Sequence, residues 1–245
     1  MLRSCLLLLL AFLLFTSCNK DHLFDWTKST GKIVTELRPS GDFQSLYLED
    51  DVDVVVYTDT TTFVRATAGQ NILDGIITEV IDGTLHIRNE NRANWVRSFK
   101  YSYTVEIGMS QPLSILYYGS GKLTLEDTIR TNDFTFDCWN GSGTIKLLLN
   151  TQTSHLNIHI GRCDITATGR SQVCYFYQND TGIITASNLQ TDFCYLRNSG
   201  TGNCYVNVTK ELGVEIQHTG NVYYRGTPYK IDQQITGSGK LYHEN

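Results

Sequence analysis

His155 and His159 stand four residues apart, a spacing that on a helix would turn two imidazoles toward one metal ion. Their neighbours Leu156, Ile158 and Ile160 alternate with polar residues, so the segment reads as a strand. On a strand the two rings share a face but lie about 13 Å apart, too far to hold one ion. Asp50, Asp51 and Asp53 form an acidic cluster that could bind calcium weakly, but no Gly-rich ligand loop surrounds them, and a solvated turn is expected. General acid–base work on a sugar polymer needs carboxylates grouped on one face. The outward positions of neighbouring repeats instead carry Asp164, Thr166, Thr185, Tyr205 and Tyr223, with no stacked acidic pair. No catalytic residue is therefore assigned, and no metal or other cofactor is expected.

Seven cysteines suggest a disulfide framework until they are placed. Cys5 and Cys18 belong to the N-terminal segment. Cys138, Cys163, Cys174, Cys194 and Cys204 fall at alternating inward strand positions, where a thiol is a small hydrophobe. Free buried thiols are expected, with a Cys174–Cys194 bridge as the alternative that stacked spacing permits. No Cys-x-x-Cys occurs, which argues against zinc.

What remains is outward tyrosine. Tyr205, Tyr223 and Tyr242 each follow a corner glycine by three residues, and Tyr175 and Tyr195 match one another on a second face. Two uses of such rings are open: a ladder that only stabilises stacked strands, or a strip that meets sugar rings or another subunit.

These positions have meaning only on a repeating scaffold. Gly119-Ser120-Gly121 and Gly141-Ser142-Gly143 each precede alternating apolar residues, and weaker copies follow at Gly161, Gly182, Gly202, Gly220 and, in Gly237-Ser238-Gly239, near the C-terminus. From Gly121 to Gly239 the marks recur at a mean spacing of about 20 residues, a solenoid period. The corners are expected to need glycine for positive φ. Each coil supplies two strands and two corners, so the fold class is all-β, a two-sheeted, right-handed parallel β-helix or β-solenoid.

The expected core columns are Leu123/Leu125, Ile145/Leu147, Cys163/Ile165, Ile184/Ala186, Cys204/Val206 and Val222/Tyr224 on one sheet. Phe134/Phe136, Leu156/Ile158/Ile160, Cys174/Phe176, Cys194/Leu196, Leu212/Val214/Ile216 and Ile231/Ile235 face them from the other. Residues 116–245 form the regular repeats, continuous with irregular β coils over 31–115. One short helix is expected over 71–76, capped by Asn71 and helping to close one end.

At the N-terminus, Arg3, an apolar run from Leu6 to Phe15 and Thr16-Ser17-Cys18 resemble a bacterial lipoprotein signal over 1–17. Cys18 would carry the lipid, and 18–30 would be a polar tether of roughly 40 Å reach. Lys20-Asp21 resembles the surface-export signals of some Bacteroidetes lipoproteins. The net charge is −5, and Arg92, Arg97 and Lys100 form a single small basic cluster, so no nucleic-acid partner is expected.

Phe43-Gln44-Ser45-Leu46, Val52-Asp53-Val54-Val55-Val56, Asn71-Ile72-Leu73-Asp74, Ile77-Thr78-Glu79-Val80 and Gly83-Thr84-Leu85-His86-Ile87, followed by Gly-Ser-Gly turns, carry a family resemblance. From roughly Ile33 onward the chain resembles the putative autotransporter adhesins with a head GIN domain. The resemblance implies a pectin-lyase-like outline without a recognised catalytic set, and an adhesive role at the cell surface. The expected function is a lipid-anchored binding module of the cell envelope, an outer-membrane lipoprotein, periplasmic or surface-exposed. Its partners would be the membrane through the lipid and a glycan or protein ligand. Two alternatives are an oligomerising structural protein of the envelope and a carbohydrate-active enzyme.

Overall fold

The computed structural model describes residues 29–91 and 103–244. The signal, most of the tether with Cys18, and the basic cluster of Arg92, Arg97 and Lys100 lie outside the described residues. Two parallel walls face each other. The first runs in the order β6 (Thr84–Asn89), β2 (Ser45–Leu48), β8 (Ser114–Tyr117) and β10 (Asp133–Gly141). It continues through the C-terminal halves of β11 (Thr144–Gly161), β12 (Asp164–Gln178), β13 (Ile184–Asn198) and β14 (Cys204–Ile216) to β16 (Lys230–Ile235). The second wall runs β7 (Tyr103–Met109), β3 (Val52–Thr58) and β9 (Leu123–Leu125). The N-terminal halves of β11 to β14 follow, then β15 (Val222–Arg225) and β17 (Leu241–His243).

Each long strand thus serves both walls and bends once between them. Alternation then sends every second residue inward. Leu123, Ile145, Ile165, Ile184, Cys204 and Val222 stack on one side, and Phe136, Leu156, Phe176, Leu196 and Val214 on the other, all buried. The described cysteines are free and buried, with Cys174 directly opposite Cys194. Burial pushes the thiols of Cys174, Cys194 and Cys204 up, so they stay protonated as packing groups.

Three expected inward residues depart from the pattern for identifiable reasons. Ile160 is exposed because the register slips between Cys138 and Trp139, pairing Trp139 with Ile160 and turning the following side chains over. Ile231 and Ile235 face the interior column but lie on β16, beyond which no described strand covers them.

The first coil is threaded out of order. β2 and β3 stack between the later β6/β7 coil and the β8/β9 coil, so the first coil laid down in the chain is flanked on both sides by later ones. Antiparallel strands close that end: β5 (Ile76–Ile81) covers β6, while β4 (Phe63–Gly69) and then β1 (Ile33–Arg38) cover β7. Only a 3₁₀ turn, Leu73–Gly75, occupies the expected helix. Asn71 does not cap it; its amide donates to the Ser29 carbonyl at 3.0 Å.

The corners need glycine for a reason other than positive φ. Gly119, Gly121, Gly141, Gly143, Gly202, Gly220, Gly237 and Gly239 are all absent from the positive-φ set, which contains Gly161 among the repeat marks. A Cβ on Gly143 would instead land on the Gly121 carbonyl and the Tyr117 hydroxyl. The same holds for Gly202 on Gly182, Gly220 on Gly202 and Gly239 on Gly220: each carbonyl fills the space a side chain would need in the next coil. Gly119 and Gly237 are pressed against the carbonyls of Asp50 and His218, and Gly141 against Tyr117 and Cys138.

Candidate functional site: aromatic ladders on the outer walls

Parallel in-register stacking brings side chains twenty residues apart within one rung, about 4.8 Å. On the second wall Tyr205, Tyr223 and Tyr242 align directly. Their ring centroids are 4.8 and 5.1 Å apart with interplanar angles of 11° and 19°. Asparagines two residues earlier brace the corner: Asn203 Oδ1 accepts from the Asn221 backbone N–H and Asn221 Oδ1 from that of Lys240, each at 2.9 Å.

On the first wall the Tyr175–Tyr195 pair is longer than the sequence reading had it. His155 stacks on Tyr175 at 4.8 Å and 9°, and Tyr175 on Tyr195 at 5.4 Å and 24°. His155 thus serves as a rung, not a bare exposed residue, and its position twenty before Tyr175 was the available signal. Beside this column Trp139 stacks on His159 at 4.0 Å and 8°. His159 Nε2 is 2.8 Å from Asp137 Oδ1, which also accepts from Asn157 Nδ2 at 2.9 Å. Nothing in the repeat period pointed to Trp139, because the bulge displaces it. A third stack, His86–Tyr47–Tyr118, was hidden by the out-of-order threading.

The two walls differ in what they offer. Tyr175 and Tyr195 are 41% and 39% exposed, whereas on the second wall Tyr205 and Tyr223 are half-buried and only terminal Tyr242 reaches 41%. A groove of about 600 Å³ runs along the first wall beside Tyr175 and Tyr195 toward Gly213 and Asp232, with Arg197 and Glu215 on its flank.

The carboxylates of the early acidic cluster are engaged in holding the coils. Asp50 Oδ2 accepts from the Asn89 N–H at 2.9 Å, Asp51 Oδ1 from Asn89 Nδ2 at 2.8 Å, and Asp53 Oδ1 from the Lys122 N–H at 2.8 Å. Among the described residues no group of three metal-ligating side chains converges, and no helix is long and apolar enough to cross a membrane.

The described residues form a β-solenoid with a packed interior and aromatic ladders on its outer walls. The chain belongs to the family described as "putative auto-transporter adhesin, head GIN domain", whose model matches residues 42–228. No curated protein matches its sequence.

Solved structures share the fold at low identity. A "putative adhesin" from Bacteroides fragilis aligns with a TM-score of 0.80 at 20% identity, covering 87% of this chain and 97% of the other. One from Parabacteroides distasonis gives 0.68 at 17%, covering 87% and 98%. A "putative lipid binding protein" from Parabacteroides distasonis gives 0.68 at 18%, covering 89% and 98%.

Proposed function

We propose that the protein is a lipid-anchored binding module of the cell envelope, adhesive in role, that contacts a glycan or protein ligand through its outer walls. The observation that carries this reading is the pair of in-register aromatic ladders, Tyr205–Tyr223–Tyr242 and His155–Tyr175–Tyr195, on the two outward faces. The interior is packed, so large aromatic surface meets a partner from outside. Family membership supports an envelope location.

The test is retention of the isolated domain on intact cells and on a glycan array. Tyr205→Ser with Tyr223→Ser, or Tyr175→Ser with Tyr195→Ser, should weaken retention about tenfold or more, since each stacking ring contributes about 0.5 to 1.5 kcal/mol. Normal retention by both double variants would assign the ladders to fold stability and remove the reading.

Anchoring rests on Thr16-Ser17-Cys18 behind the apolar run. Cys18→Ala is expected to move the protein from the membrane pellet to the soluble fraction, because one acyl-bearing residue would hold it there. A variant that still pellets with membranes would refute the lipid anchor.

One observation favours a second reading, a structural module that assembles end to end. β16 and β17 end their walls without a further described strand, and Ile231 and Ile235 are exposed on the first of these. Sedimentation as a monomer at high concentration counts against it.

A further inference from the structure

We infer that the gap in the first-wall ladder at Gly213 is the binding site for one ring of a neutral glycan. This assignment rests on the adhesive reading above and narrows it to one wall, one site and one ligand class. The register sets Tyr175, Tyr195, Gly213 and Asp232 on successive strands of a single outward column. His155, Tyr175 and Tyr195 fill their rungs with rings, and at Gly213 the rung carries no side chain of its own.

The last ring packs against the glycine. Tyr195 is tilted 24° from Tyr175, against 9° between His155 and Tyr175. A Cβ on Gly213 would sit 2.9 Å from Tyr195 Cδ1, so the edge of the ring reaches over the glycine, and a side chain there would push the ring back and cover its outer face. In the lower part of the ladder each ring covers its neighbour's face. Tyr195 alone has a ringless position on its C-terminal side, and it is 39% exposed.

The size of the gap selects the occupant. Tyr195 and Asp232 are two rungs apart, about 10 Å. A pyranose ring stacked at about 4 Å from Tyr195 leaves room for a hydroxyl of about 2.7 Å reach to a carboxylate on the far side. Asp232 uses Oδ2 for Lys230 Nζ at 2.9 Å, and Oδ1 remains as an acceptor for such a hydroxyl. A sugar ring presents C–H groups to the tyrosine and hydroxyl donors at its rim, which matches this pairing of surfaces.

Charge selects a neutral sugar. The groove is lined by one cation, Arg197, and two anions, Glu215 and Asp232. Arg197 Nε is already bonded to Glu215 Oε2 at 2.6 Å, and Gln217 Nε2 donates to Glu215 Oε1 at 2.6 Å. With Lys230 on Asp232 the charges balance, and a uronate or sulfated sugar would meet a groove whose cation, Arg197, is already paired.

The experiment is titration of the domain with neutral hexamers (maltohexaose, cellohexaose, laminarihexaose and mannohexaose) and with two acidic controls, an oligogalacturonate and heparin hexamer. At least one neutral hexamer should bind, and the acidic controls should not. Tyr195→Ser removes the platform and Gly213→Ser fills the gap, meeting only a movable ring; each should weaken binding roughly tenfold at unchanged melting temperature. Asp232→Asn, on an exposed side chain, provides a third variant whose folding is not in question and should weaken binding several-fold.

Equal or preferred binding of the acidic controls overturns the assignment, as does failure of every neutral hexamer. Binding lost in Tyr205→Ser with Tyr223→Ser but intact in Tyr195→Ser and Gly213→Ser also overturns it while leaving the adhesive reading in place. Retention on cells through a protein partner at this wall, with no sugar bound, does the same.

Discussion

Gly143→Ala is expected to lower the melting temperature by about 6 to 12 °C, although alanine is the smallest change a glycine can suffer. The added methyl would coincide with the Gly121 carbonyl and the Tyr117 hydroxyl, so two coils must separate locally or Tyr117 must leave its place. Tyr117 Oη donates to Gly121 O at 2.5 Å inside the corner, and burial pushes its hydroxyl pKa up. Displacing it orphans a buried carbonyl. Overpacking and the lost bond together cost about 3 kcal/mol, and each kcal/mol is worth about 2 to 4 °C in a domain of this size. Two other glycines separate the causes. Gly83 has φ +75° with open space around its Cβ, so Gly83→Ala should cost only the conformational penalty, about 1 to 2 kcal/mol. Gly41 has neither constraint, and Gly41→Ala should melt normally. Equal melting of the Gly143 and Gly41 variants would show that the corner is not closed by stacking.

That distinction marks where the sequence was legible. The corner glycines could be located because a solenoid repeats its own constraint at a fixed interval, and Gly121, Gly143, Gly202, Gly220 and Gly239 do form one column. Their physical cause was not visible, since close approach between coils and positive φ both select glycine. Alternation likewise placed Phe134, Leu156, Cys174 and Cys194 inside. It failed at Ile160, where one bulged residue inverts the parity, and at Ile231, where parity is right but no coil lies beyond. Before Leu113 the period itself fails. The first coil acquires its neighbours from chain far downstream, as in the Asp53–Lys122 hydrogen bond, so no local repeat is written there.

The outward rings followed the same logic. Tyr205, Tyr223 and Tyr242 stack as their offsets from the corner glycines required. His155 belongs to the same column as Tyr175, but a histidine four residues from another carries a metal-like spacing that masks this place in the sequence. The ringless rung at Gly213 leaves a weaker mark in the sequence. A glycine within a strand signals a weak position, and only the ladder on one side with Asp232 on the other turns it into a space with walls.

Asn198→Leu should be among the most damaging single changes, costing about 3 to 5 kcal/mol at nearly constant volume. Asn198 lies in an inward column with Cys138, Ile158, Gln178 and Ile216, and it is fully buried. Asparagine in such a place reads from sequence as loop, yet it holds the next corner from within. Its Nδ2 donates to Gly202 O at 2.9 Å and its Oδ1 accepts from the Gly200 N–H at 3.1 Å. Leucine would leave both backbone groups in the interior without these partners, each costing about 1 to 3 kcal/mol. Gln178 makes the same pair of bonds one coil earlier, to Gly182 O and from the Asp180 N–H, so the device is repeated. Asn198→Gln should recover part of the loss, because the longer amide is already accommodated at 178, whereas Asn198→Asp keeps the acceptor but loses the donor and should recover less. Denaturant unfolding of the three variants gives the order. A leucine variant as stable as the parent would mean that the corner finds its hydrogen bonds elsewhere, as the corner after Ile158 does when the Gly161 N–H donates to Asp180 Oδ2 at 2.8 Å.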